Sequence, residues 1–161
     1  MRGSKIILAS RVALLTLILP AVQGRAQTAK QADVFVRNLY GQYGRVSNFY
    51  VLGKQAGSYF SPGLLALIRK EEKATPPGDS GKLDWDPVCD CQDDGGLKLT
   101  DVHVTMRGTG RALATAVLSY PDPAKTEVQL SLLWTQRGWR IDDIATKDVP
   151  SLRKFLESPG D

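Results

Sequence analysis

Along the first part of the chain, apolar positions fall at helical spacing. Ala32, Phe35, Val36, Leu39, Tyr40 and Tyr43 recur every three or four residues, which puts them on one face. The pattern predicts a helix over 29–46, opened by Thr28 or Gln27, weakened by Gly41 and Gly44 and stopped near Asn48. Tyr40, Tyr43, Phe49 and Tyr50 gather at its end and read as core or as a pocket wall. A second helix starts at Ser61-Pro62, because serine caps a helix well and proline fits the first turn. Leu64, Leu65, Leu67 and Ile68 form its buried stripe. Arg69, Lys70, Glu71, Glu72 and Lys73 are its solvated end, and Thr75-Pro76-Pro77-Gly78 terminates it.

After residue 97 the period changes to two. Val102, Val104 and Met106 alternate with polar residues, as do Ala112, Ala114, Ala116, Leu118 and Tyr120. Val128, Leu130, Leu132 and Trp134 follow, then Trp139 and Ile141. These runs predict four strands, broken by turns at Arg107-Gly108-Thr109-Gly110, Pro121-Asp122-Pro123 and Arg137-Gly138. Connections this short imply an antiparallel meander. Leu99 and Val102 have opposite parity, as do Ile141 and Ile144, so a bulge is predicted at each place. A short helix over Pro150 to Leu156, opened near Asp148 or Ser151, closes the chain. The fold class is α+β, with N-terminal helices packed on a curved four-stranded antiparallel sheet.

The N-terminus stands outside this pattern. Arg2, Lys5 and Arg11 precede the apolar run Val12 to Leu19, which is followed by the small-residue sites Val22-x-Gly24 and Gly24-x-Ala26. The run is much shorter than the roughly 20 residues that cross a bilayer. Residues 1–26 therefore read as a cleavable export signal, cut after Ala26 or after Gly24. This leaves 27–161 as one domain with no stable membrane span. Four of the 21 Lys/Arg residues lie in the leader, which has no acid, so 17 bases and 17 acids remain. A net charge of zero without a clustered basic face excludes a nucleic-acid footprint.

The remaining stretch, Leu83 to Gly96, fits neither period. It holds both cysteines, Cys89 and Cys91, and the five aspartates Asp84, Asp86, Asp90, Asp93 and Asp94. In an oxidising compartment the cysteines are a candidate disulfide, though Cys-x-Cys closes a very small ring. A structural zinc site needs four ligands, and the single histidine, His103, alternates with Val102 and Val104 and so points to solvent. A calcium loop is a weak alternative. Asp90, Gln92, Asp94 and Asp101 occupy the spacing of oxygen ligands and Gly95 the turn, but Lys98 stands at a ligand position. The simpler reading is architectural: Asp84, Asp86 and Gln92 cap backbone amides and lock the crossing from helices to sheet.

Several segments together resemble a bacterial family catalogued as domain of unknown function 3828. They are FVRNLYGQY, LDWDPVCDCQD, GWRIDDI and PSLRKFL, and the resemblance covers about residues 31 to 157. Its most specific part is Asp84, Asp86, Pro87, Gln92 and Asp93, while Cys89 and Cys91 look like local additions. The resemblance implies the nuclear-transport-factor-2-like superfold, a cone of helices over a curved sheet. It implies no activity, because that superfold hosts enzymes, binding proteins and interaction domains alike. Enzymes of the superfold use a pocket aspartate as general base. The candidates here are Asp84, Asp86, Asp142 and Asp143; Asp143 shares the parity of Trp139 and Ile141 and would face inward, and a bulge there would reverse it.

The function expected is an exported, periplasmic or extracellular binding or protein-interaction module without a cofactor. It would hold an envelope protein or small ligand through the loop residues Asp84, Trp85, Asp86, Pro87, Gln92 and Asp93, or through a pocket built on Tyr40, Tyr43, Trp139 and Asp143. The alternative is a small-molecule isomerase, dehydratase or hydrolase. The chain carries no serine–histidine–acid set and no phosphate loop, which weighs against catalysis.

Overall fold

A computed structural model describes residues 27–43, 49–121 and 125–159. The predicted leader, residues 44–48 and the centre of the turn at Pro121-Asp122-Pro123 lie outside them.

Helix α1 spans Ala29–Tyr40. Thr28 caps it in a reciprocal box: Gln31 N donates to the Thr28 hydroxyl at 3.2 Å, and Thr28 N donates to the Gln31 side chain at 3.1 Å. Ala32, Val36, Leu39 and Tyr40 form its buried face. The helix ends earlier than the apolar spacing predicts, with Gly41 as C-cap. Gln42 and Tyr43 then close tighter turns onto the carbonyls of Leu39 and Tyr40, which keeps Tyr43 buried without a helix. A four-residue helix, α2 (Ala56–Tyr59), has no counterpart in the sequence pattern, since one turn is too short to show a period.

Helix α3 covers Pro62–Ala74 and begins as predicted, with the Ser61 hydroxyl accepting from Leu64 N at 3.2 Å. Leu64 and Ile68 are its buried positions. Strands β1 (Lys98–Met106), β2 (Arg111–Ser119), β3 (Lys125–Thr135) and β4 (Gly138–Ala145) form one antiparallel sheet in chain order. Val102 faces Ala116, Ala116 faces Val128, Ala114 faces Leu130 and Leu130 faces Ile144. One side of the sheet is thus apolar, and α1 packs across β1, β2 and β4. The segment before α3 runs beside β4, where Ser61 N donates to Ile141 O at 2.8 Å and protects that edge. Helix α4 (Leu152–Glu157) packs on α3 and β4, capped by Ser151.

Both predicted bulges are present. The register shifts between Leu99 and Asp101, and again where Leu132 and Ser131 face Ile141 and Asp143, leaving Asp142 as the extra residue. The second bulge decides the placement of Asp143 and removes it from the candidate pocket. Simple parity puts Asp143 on the Trp139–Ile141 side, but the inserted residue returns Ile144 to the core and turns Asp143 away. Its carboxylate instead accepts from Ser151 Oγ at 2.7 Å and Arg153 N at 3.0 Å, holding the start of α4.

Leu130 is fully buried in the centre of β3. Leu130→Ala is expected to cost about 2–5 kcal/mol, read as a lower urea midpoint at unchanged slope.

Candidate functional site

The loop between α3 and β1 is built around a tight turn. Asp86 and Cys91 pair through Asp86 N to Cys91 O at 2.8 Å and Cys91 N to Asp86 O at 3.3 Å. Asp90 takes a left-handed backbone with φ 55°, a conformation that aspartate tolerates better than most residues. Cys89 and Cys91 lie within disulfide-bonding distance, with Cα atoms 5.2 Å apart. Val88 and Cys89 are fully buried, so the apex of the turn plugs the end of the sheet.

Three tyrosine hydroxyls fasten this plug. Tyr40 OH donates to Val88 O at 2.7 Å, Tyr120 OH to Cys89 O at 2.6 Å, and Tyr43 OH to the Asp86 carboxylate at 2.7 Å. The second carboxylate oxygen of Asp86 accepts from Val88 N at 2.8 Å. Trp85 packs edge-on against Phe155 of α4, with ring centroids 5.6 Å apart. Asp93 accepts from Gly95 N at 2.8 Å and sets the turn that leads into β1.

Beside the plug lies a cleft of about 370 Å³. Its aromatic wall is Tyr43, Phe49, Tyr50 and Trp85. Its polar wall is Asp84, Asp86, Gln92, Asp93 and Asp94, with Leu83, Cys89 and Cys91 completing the lining. Tyr43 meets Phe49 edge-on at 4.9 Å, and Tyr50 is 57% exposed. Four carboxylates line the space, and among the described residues no lysine, arginine or histidine does. Burial raises the Asp86 carboxyl above its ordinary pKa, opposed by the hydrogen bonds from Tyr43 and Val88. Burial likewise pushes the Tyr40 and Tyr43 hydroxyls far up and Tyr120 to about 12, and the nearby Asp86 charge adds to all three.

The structure brings together Tyr43, Trp85, Asp84, Asp86, Gln92 and Asp93 from the predicted set and separates the others. Pro87 is buried in the turn. Tyr40 is buried behind the cleft as a clamp. Trp139 lies in the sheet core against Trp134 at 5.4 Å, outside the cleft, and its indole N–H is buried with no partner among the described residues. Asp142 accepts from Ser61 Oγ at 2.7 Å and pairs with Arg153, so both late aspartates join β4 to helices. Asp84 and Gln92 cap no amide among the described residues; they are exposed on the cleft wall, because Asp86 and the Asp86–Cys91 pairing already occupy the amides of the turn. The calcium reading fails on placement. Asp101 lies in extended β1, away from Asp94, while Asp90 faces Thr146 and Asp148. Among the described residues no three His, Cys, Asp or Glu side chains gather in metal-holding geometry. His103 is exposed beside Asp101 at 3.0 Å. Sequence reasoning missed Tyr120, whose alternation marks it only as a strand residue.

Compared with known proteins, the chain is 33% identical over 147 residues to "Uncharacterized protein YqhG" of Escherichia coli (strain K12). The match covers 88% of this chain and 46% of that protein, so the chain spans about half the length of the curated relative it matches. No protein-family model matches the chain, and no solved structure does.

Two outcomes are expected from the plug. Tyr43→Phe removes a donor from a half-buried carboxylate and is expected to cost about 1–3 kcal/mol in urea unfolding, against about 1 kcal/mol for Tyr120→Phe, which frees only a carbonyl. The tyrosines also set an alkaline limit. Their pKa values are raised in the folded state, so the stability they contribute is full below about pH 10, where unfolded tyrosine ionises. It is lost as pH rises through the folded values, about 12 for Tyr120. The urea midpoint is expected to fall steadily above about pH 10, and less steeply in Tyr120→Phe.

Proposed function

We propose that this chain is an exported binding module that uses the acidic, aromatic cleft beside the Asp86–Cys91 turn to hold a positively charged ligand or partner segment. The carrying observation is the lining itself: four carboxylates and four aromatic rings surround about 370 Å³. Aromatic faces and carboxylates both attract cations, and the aromatic wall suits the apolar stem of an amine or guanidinium group. Asp84 and Gln92 have no hydrogen-bond partner among the described residues, which leaves them available. The leader pattern supports export to the periplasm or exterior, where the Cys89–Cys91 pair would be oxidised. The segment resemblance supports membership of the domain of unknown function 3828 family with its nuclear-transport-factor-2-like superfold, and the helices-then-sheet order agrees with that reading.

One observation favours a second reading. Asp86 has a raised pKa, faces a cleft and touches Tyr43, as an acid–base pair in a small-molecule isomerase, dehydratase or hydrolase would. Both Asp86 oxygens are occupied in holding the turn, however, which makes recognition the stronger reading.

The test follows Trp85 fluorescence and chemical-shift changes as the protein is titrated with a lysine- and arginine-rich peptide and with an acidic peptide of equal length. Saturable binding of the basic peptide alone is expected, weakened by salt and reduced about fivefold or more by Asp84→Asn with Asp93→Asn. Equal binding of both peptides, or none of either, would sink the proposal.

A further inference from the structure

The end of the sheet remote from the acidic plug has the opposite character. The β1–β2 turn and the β3–β4 turn lie side by side there, because Met106 pairs with Ala112, Arg111 with Leu133 and Thr135 with Gly138. Residues 105–112 and 133–141 contain Arg107, Arg111, Arg137 and Arg140 and no acid. A second cleft, of about 540 Å³, opens here between the β3–β4 turn and the start of α3. Pro62 and Leu65 give it an apolar floor above the buried Phe60, and Arg69, Arg137 and Arg140 stand around it. Arg140 is held in place, its Nε donating to Gly57 O at 3.3 Å and a terminal nitrogen to Trp139 O at 2.6 Å. Among the described residues none of the three arginines forms an ion pair.

Guanidinium groups around one cleft, with no ion-pair partner among the described residues and beside apolar surface, are poorly satisfied by the protein itself. Burial, and then the charge of Arg137, lower the pKa of Arg140, in keeping with like charges placed close together. Guanidinium forks match the planar or tetrahedral oxygens of carboxylate and phosphate. A bare oxyanion would leave Pro62 and Leu65 uncovered, whereas an oxyanion on an alkyl chain would neutralise the arginines and cover both. The volume is that of a small-molecule site. The site is concave, which suits one free chain better than a flat membrane.

We propose that the cleft between the β3–β4 turn and α3 binds a single-chain anionic amphiphile, its carboxylate or phosphate on Arg69, Arg137 and Arg140 and its alkyl chain on Pro62 and Leu65. The site is separate from the acidic cleft and stands whether or not that cleft binds cations.

Calorimetric titrations of the full chain with decyl phosphate, decanoate, inorganic phosphate and decanol test this, with the amphiphiles below their micelle concentrations. Saturable one-to-one binding is expected for decyl phosphate or decanoate, with inorganic phosphate at least about tenfold weaker and decanol silent. Arg137→Gln and Arg69→Gln, both exposed positions, are expected to weaken binding about fivefold or more at unchanged thermal unfolding. Leu65→Ser is expected to weaken decyl phosphate and leave inorganic phosphate as it was. Undiminished binding in both arginine variants overturns the proposal, as does no saturable binding of either amphiphile. Inorganic phosphate binding as tightly as decyl phosphate reassigns the cleft to a free ion. Binding to phosphatidylglycerol vesicles without binding of decyl phosphate reassigns it to a membrane surface.

Discussion

The structure turns on three hydroxyl contacts made by tyrosines from two different elements. Tyr40 ends α1, Tyr43 lies in the turn just after it, and Tyr120 follows β2; all three meet the turn at Asp86–Cys91. The turn buries Val88 and Cys89 at the end of the sheet, where otherwise the apolar layer between α1 and the strands would open to water. A buried carbonyl or carboxylate is costly unless a donor reaches it. The hydroxyls meet that need and fix helix, loop and sheet to one another. The Asp86–Val88 contact makes the arrangement self-consistent, since the same carboxylate that receives Tyr43 shapes the backbone offered to Tyr40.

The far side of β4 shows the same logic with different groups. The bulge at Asp142 frees two adjacent carboxylates from the strand pattern. Asp142 reaches Ser61 and Arg153, and Asp143 reaches Ser151 and the first turn of α4. Ser61 therefore both caps α3 and ties it to β4. Aspartates that look alike in sequence thus serve different ends. Asp142 and Asp143 join elements, Asp86 shapes a turn, and Asp84 is left facing an open cleft.

The two ends of the sheet differ in charge. One carries the acidic cleft beside the plug, the other the arginines of the two adjacent hairpins. Residues 27–161 carry 17 basic and 17 acidic side chains, so these two clefts are local concentrations of charge that the sum conceals. A meander of four strands makes this separation simple, because alternate turns always fall at opposite ends.

Much of the fold was legible in the chain. The spacing of Ala32, Val36 and Leu39 marked α1, Ser61-Pro62 marked the start of α3, alternation marked every strand, and the parity breaks at Leu99/Val102 and Ile141/Ile144 marked both bulges. These signals are local, since period and caps report how a residue sits relative to its neighbours. The site was legible only as a suspect loop. Tyr43 meets Asp86 across 43 positions and Tyr120 meets Cys89 across 31, and no periodicity records such a meeting. Parity alone placed Asp143 in a pocket, and one inserted residue reversed it. The sequence by itself determined which residues could be buried and where strands must bend. Only the tertiary structure decided which polar groups face one another, because that depends on how separate elements pack and which buried polar groups the packing leaves in want of a partner.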